Sequence, residues 1–140
     1  ASFLSYYLNY IFDDVRLIRS DSVTESIEEI HRIGAEDVIL AISFPRYSVK
    51  TIQTVSFAKN RKAKIIAITD GAQSPLAKYA DCSIYAGSDM VSFVDSLVAP
   101  LSVVNALLAA LSMRYKDSVT DTMLSMESIW NTMNEYEHID

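Results

Sequence analysis

The feature that most constrains this chain is the unbroken apolar run Val38-Ile39-Leu40-Ala41-Ile42, followed by Ser43-Phe44-Pro45-Arg46-Tyr47-Ser48. An apolar run with no polar face reads as a strand buried on both sides, as in a parallel sheet. Beyond Ser48, Val49, Ile52, Val55 and Phe57 recur at near-helical spacing, with Lys50, Lys59, Arg61 and Lys62 around them. The spacing predicts a helix over 48–61. A strand, a tight polar turn and a helix start make a ready anion site. The first amides of a helix lack partners, and its dipole favours negative charge there.

The same alternation runs along the chain. Ala63–Thr69 and Asp81–Ala86 read as further buried strands, and Val15–Ile18 as a brief first one. The expected strands are therefore about 15–19, 37–43, 63–69 and 82–86. Residues 2–12 carry the helical stripe Phe3, Leu4, Tyr7, Leu8, Ile11 and Phe12. Ser22 with Glu25 is a capping box, and predicts a helix to about Ile33. Its buried face is Val23, Ile27, Ile30 and Ile33, and Gly34 ends it. Ser74-Pro75 opens a short helix over 75–79, since Ser caps and Pro suits the first helical position. Ser92 with Asp95 caps a long helix to about Arg114, with a kink expected at Pro100. In 118–137, Val119, Met123, Met126, Trp130 and Met133 form a heptad-like seam. It packs either on its own domain or on another subunit. Strands alternating with helices imply an α/β domain with a parallel sheet and right-handed crossovers.

Composition narrows the function classes. The chain has 140 residues, enough for one domain, and half of them are hydrophobic. Its 18 acidic and 12 basic residues leave a net charge of −6, which argues against a free-standing nucleic-acid binder. The one cysteine, Cys82, has no internal disulfide partner. That favours a reducing, cytoplasmic setting, and Cys82 is expected as a small core residue. The first residues lack the basic region of a signal peptide. Leu97–Leu111 is shorter than the roughly 20 residues a membrane span needs, and it contains Pro100, Ser102 and Asn105. The expectation is a buried helix, with no membrane partner.

Two stretches carry a resemblance. They are Val38–Ser48 and Ala-Lys-Ile-Ile-Ala-Ile-Thr-Asp-Gly-Ala-Gln-Ser-Pro-Leu-Ala-Lys-Tyr-Ala-Asp, from Ala63 to Asp81. Together they resemble the sugar isomerase (SIS) domain, above all the effector-binding domain of RpiR-type bacterial transcriptional regulators. The resemblance implies a three-layer, mainly parallel sheet with flanking helices, of SIS or flavodoxin-like type, and phosphosugar binding. Many SIS domains have Ser-x-Ser-Gly-x-Thr after the strand matching 38–43. By position, Ser43 matches the first Ser and Ser48 the Thr, while Pro45 stands at the second Ser and Arg46 at the Gly. A glycine lets phosphate oxygens approach the backbone. Arg46 offers a charged, bidentate fork instead. The family also begins with a strand and a Gly-rich loop before the helix matching 1–12, and its regulators carry a helix-turn-helix domain. Neither has a counterpart here. The resemblance therefore implies a single SIS-like domain over 1–140, truncated at its N-terminus. Its sheet would close by pairing 15–19 with 37–43, or by a strand from a partner.

The candidate ligand residues are Ser43, Pro45, Arg46, Tyr47 and Ser48 at the end of one strand, Thr69, Asp70 and Ser74 at the end of the next, and Asp89 and Ser92 before the long helix. Ser48 and Ser74 read equally as helix caps, and Arg46 as a solvated charge. No catalytic residue, metal site or cofactor is expected. An aldose–ketose isomerase needs a positioned base, whereas His31 and His138 lie far from any strand end and read as surface residues. Tyr6, Tyr7 and Tyr10 read as a core or dimer contact. The expected function is sensing of a sugar phosphate or other small anionic metabolite. The chain would form a homo-oligomer through 1–12 and 92–137, with no DNA binding of its own. The alternatives are a sugar-phosphate isomerase relative or a ligand-free oligomerisation unit.

Overall fold

The structure, a computed structural model, describes residues 1–19, 22–87 and 96–133. In chain order the elements are α1 (Ser2–Leu8), α2 (Val23–Glu29), β1 (Val38–Ile42), α3 (Val49–Asn60), β2 (Lys64–Thr69), β3 (Cys82–Tyr85), α4 (Val98–Arg114) and α5 (Lys116–Met133). They fall into two compact units. One is Ile18–Val103; the other joins Ala1–Leu17 to the chain from Val104 onward.

The first unit holds a three-stranded parallel sheet in the order β1-β2-β3. Ile39 lies opposite Ile65 and Ile42 opposite Ile68, while Ile68 lies opposite Ile84. Parallel neighbours need a crossover, and α3 supplies the one between β1 and β2, packing on both strands. Ile39 and Ala41 of β1 and Ile65 and Ala67 of β2 are buried with Val55 and Ala58 of α3, and with Ala63 and Leu76. Ile30, Ile33, Tyr79 and Ala80 seal the edge of this core. The expected burial of β1 on both faces is only half met: Leu40 and Ile42 are half-buried and Val38 is exposed.

Both ends of α3 are set by local chemistry. Ser48 caps the start, its Oγ accepting from the Thr51 amide at 3.3 Å. At the other end the Ala63 amide donates to the Ala58 carbonyl and the Lys62 amide to the Lys59 carbonyl. These are the two bonds of a Schellman motif, in which the residue after the cap is left-handed and commonly Gly. Here that residue is Lys62, with φ 69°.

Several expectations are corrected. Residues 15–19 form no strand. A run of that length broken by Arg16 gains ladder bonds only against a partner, and among the described residues β1 pairs with β2 alone. The expected helix over 75–79 is a series of turns closed by i to i+3 bonds, such as Ala77 to Ser74 and Tyr79 to Leu76. Helix α2 ends at Glu29 rather than Ile33. Pro100 lies in the first turn of α4, where its missing N–H costs no helical bond, so it marks no kink. Cys82 is exposed at the start of β3 rather than buried. The expected cap at Ser92 and Asp95 falls outside the described residues.

In the second unit, Phe12 stacks edge-on against Tyr115 at 5.2 Å, and the Ser118 hydroxyl donates to the Ile11 carbonyl. Tyr6, Tyr7 and Tyr10 touch one another through their rings. With Leu108, Val119 and Met123 they line a groove of about 420 Å³. The two long helices are much less covered than their composition suggests. Leu101 of α4 and Met123, Leu124, Ile129 and Met133 of α5 are exposed. Among the described residues no single helix is long and apolar enough to cross a membrane.

Candidate functional site

The carboxyl ends of β1 and β2 sit side by side, and their continuations meet. Ser43 prolongs the ladder, its amide donating to the Ile68 carbonyl at 3.2 Å. The chain then turns through Phe44–Tyr47 into α3. Ser43 Oγ accepts from the Ser48 amide at 3.4 Å, closing the turn on itself. Pro45 and Arg46 are exposed at its tip. Arg46 has φ 65°, the left-handed region that a side chain disfavours. This is the position that matches glycine in the resembling motif, so the backbone keeps a glycine-like step while carrying a guanidinium.

A second strand end braces the first. Thr69 Oγ1 lies 2.7 Å from the Ser43 carbonyl oxygen and 2.8 Å from Ser74 Oγ. A hydroxyl has one proton and a carbonyl can only accept. Thr69 therefore donates to Ser43, and Ser74 donates to Thr69. Ser74 Oγ in turn accepts from the Leu76 amide at 3.2 Å. Thr69 and Ser74 have no exposed surface and Ser43 has little. These three hydroxyl residues form a dry chain under the turn. Pro45, Arg46 and Ser48 are exposed above it, and Tyr47 is half-buried.

Tyr47 links the layers. Its hydroxyl lies 2.9 and 3.0 Å from the two carboxylate oxygens of Asp70. The phenol is held above its ordinary pKa, first by desolvation and then by the bond to Asp70 and that group's negative charge. It is therefore a firm donor at neutral pH. Helix α3 has no acidic residue in its first turn, so its dipole, Lys50 and Arg46 all favour an anion at this end.

The structure thus brings together Ser43, Pro45, Arg46, Tyr47, Ser48, Thr69 and Ser74. Asp89 and Ser92 lie outside the described residues, as does His138. His31 is exposed at the end of α2, its Nδ1 2.7 Å from the Glu28 carbonyl oxygen. Among the described residues no group of His, Cys, Asp and Glu is placed to hold a metal. Sequence reasoning left the Tyr47–Asp70 pair unnoticed. Its signal was an Asp directly after a strand, facing a turn from the neighbouring strand.

Comparison with known proteins agrees with this architecture. The SIS domain profile matches residues 7–110, most of the chain. The chain belongs to the SIS domain family. A helix-turn-helix-type transcriptional regulator of Caldanaerobacter subterraneus subsp. tengcongensis is 31% identical over 105 aligned positions, covering 68% of this SIS chain. The chain spans 37% of that relative's length. Among solved structures, the sugar isomerase domain of an RpiR transcription factor from Sphaerobacter thermophilus superposes with a TM-score of 0.81 at 25% identity, covering 91% of this chain and 70% of that one. The Vibrio vulnificus NanR protein, solved with ManNAc-6P, has a TM-score of 0.72 at 21% identity, covering 91% and 50%. An Escherichia coli CFT073 protein, solved in complex with a sugar phosphate, gives 0.68 at 20%, covering 89% and 68%. The last two likenesses speak for the SIS fold.

Proposed function

We propose that this SIS domain is the effector-binding module of an RpiR-type transcriptional regulator, and that it senses a sugar phosphate or a similarly anionic small metabolite at the 43–48 turn. The observation that carries the reading is Arg46 at φ 65°. A residue accepts such a backbone only where the surroundings impose it. Here it keeps the turn of a phosphate-binding motif and sets a guanidinium beside an acid-free helix start. Pro45 and Ser48 frame the mouth of the site, Thr69 and Ser74 hold its floor, and Asp89 and Ser92 belong to its far wall.

Two relatives support the regulatory side: a helix-turn-helix-type regulator at 31% identity and an RpiR transcription factor domain at 25%. Two structural neighbours were solved with sugar phosphates, which guides the choice of compounds. The reading is of a binding domain rather than an enzyme. The exposed apolar residues of α4 and α5 fit a homo-oligomer, since patches of this kind mark interaction surfaces.

The test is a thermal-shift screen of sugar phosphates, ManNAc-6P among them, beside the same sugars without phosphate. The wild type should respond to one or more phosphorylated members only. A ligand present at one hundred times its Kd adds about 2.7 kcal/mol. Arg46→Ala keeps the backbone step and removes the charge, so it should lose roughly tenfold or more in affinity. No response to any anionic compound contradicts the sensing reading. An equal response from Arg46→Ala contradicts the site. Turnover of the bound sugar phosphate between aldose and ketose would favour an isomerase.

A further inference from the structure

The 43–48 turn has a conformational problem. Arg46 sits in the left-handed region at φ 65°, where a side chain crowds the backbone. The neighbouring Pro45 has no amide to offer as a tether. Left to itself, such a turn relaxes toward conformations with Arg46 at negative φ, and the geometry of the tip is lost. Directly after Arg46 comes Tyr47, whose hydroxyl reaches across to the carboxylate of Asp70, 23 positions along the chain. Both carboxylate oxygens lie within 3.0 Å of it. Asp70 itself is anchored, because the preceding Thr69 is fully buried and bonded to Ser43 and Ser74.

We infer that Tyr47 is a positioning residue of the site: its bond to Asp70 holds the turn in the conformation that presents Arg46, and thereby sets the affinity for a sugar phosphate. The inference rests on the reading of the turn as a sugar-phosphate site. It goes beyond that reading by assigning the control of the site to a pair outside the matched motif. Asp70 fits this role rather than direct contact, because a carboxylate repels the ligand's phosphate and the Tyr47 phenol occupies both its oxygens. The latch also joins the sensing turn to β2, the central strand of the sheet. A ligand that favours the latched turn is thereby coupled to the sheet.

Two readouts separate the latch from the ligand. The first is backbone amide exchange of the ligand-free chain. In Tyr47→Phe the amides of Arg46–Val49 should exchange about tenfold faster or more, with β1 and β2 amides unchanged, since local opening follows the loss of local tethers. The second is affinity for the sugar phosphate that shifts the wild type most. Tyr47→Phe and Asp70→Ala should each weaken it by roughly fivefold to twentyfold, while Asp70→Asn, which keeps an acceptor oxygen, should recover most of the loss. Equal weakening by Asp70→Asn and Asp70→Ala would overturn the hydrogen-bond role. Unchanged turn exchange in Tyr47→Phe, or unchanged affinity, would overturn the latch itself. If the wild type binds no sugar phosphate, the functional reading falls and the affinity claim with it, whereas the exchange result still decides whether the latch exists.

Discussion

The Thr69 hydroxyl donates to the Ser43 carbonyl oxygen at 2.7 Å, tying the ends of β1 and β2 together just beyond their last paired residues, Ile42 and Ile68. This bond has no exposed surface on the Thr69 side, so water cannot replace it. Thr69→Val keeps the shape and removes both the donor to Ser43 and the acceptor of Ser74. The expected loss is about 1–3 kcal/mol, the usual cost of stranding buried polar groups. Urea denaturation measures it, and a loss below about 0.5 kcal/mol would mean the brace carries no weight.

Two non-glycine residues sit in the left-handed region, and they separate stability from function. Lys62 has φ 69° in the Schellman motif that ends α3. Lys62→Gly should raise stability by roughly 0.5–1 kcal/mol, the relief of side-chain crowding less the entropy that glycine loses on folding. It should leave ligand binding alone. Arg46→Gly should gain a similar amount while weakening sugar-phosphate binding. Thermal melts and binding isotherms of the two variants check this. Arg46→Gly matching the wild type in affinity would show that the backbone, rather than the guanidinium, makes the site.

The acid limb of stability should depend on Asp81. Its carboxylate accepts from Lys59 Nζ at 2.7 Å and from the Ile65 amide at 2.8 Å. Lys59 first, and then that amide, hold it below its ordinary pKa. A carboxyl depressed in the folded state stabilises above the unfolded pKa, and that contribution is lost as pH falls through the folded value. Asp81→Asn should therefore be less stable than the wild type near neutral pH. Its stability should fall less steeply between about pH 5 and 2. Urea midpoints across that range would show it; parallel curves for the two proteins would exclude the pair as a source of acid sensitivity.

Much of the α/β unit was legible because its signals are local. The apolar runs at 38–42 and 64–69, the cap at Ser48 and the stripe through Val55 each report on their own neighbourhood. What was missed depends on distant partners. Val15–Ile18 has strand-like residues but no neighbour to pair with. Leu97–Leu111 reads as a buried helix by composition, and nothing in its own residues tells a core from an exposed apolar face. The left-handed step at Arg46 is invisible to propensity, since only the resembling motif marks that position as a glycine's. The Tyr47–Asp70 pair was hidden for the same reason: the two residues meet only because β1 and β2 are parallel neighbours in this register.

The most direct test of the account is to map the ligand on the chain. Backbone amide chemical shifts of the wild type would be followed while it is titrated with the sugar-phosphate panel and the matching free sugars. The account predicts saturable shifts at Ser43–Ser48 and in the first turn of α3 for a phosphorylated member, and none for its unphosphorylated counterpart. Saturable shifts confined to α4 and α5, or no saturable shift anywhere across the panel, would contradict it.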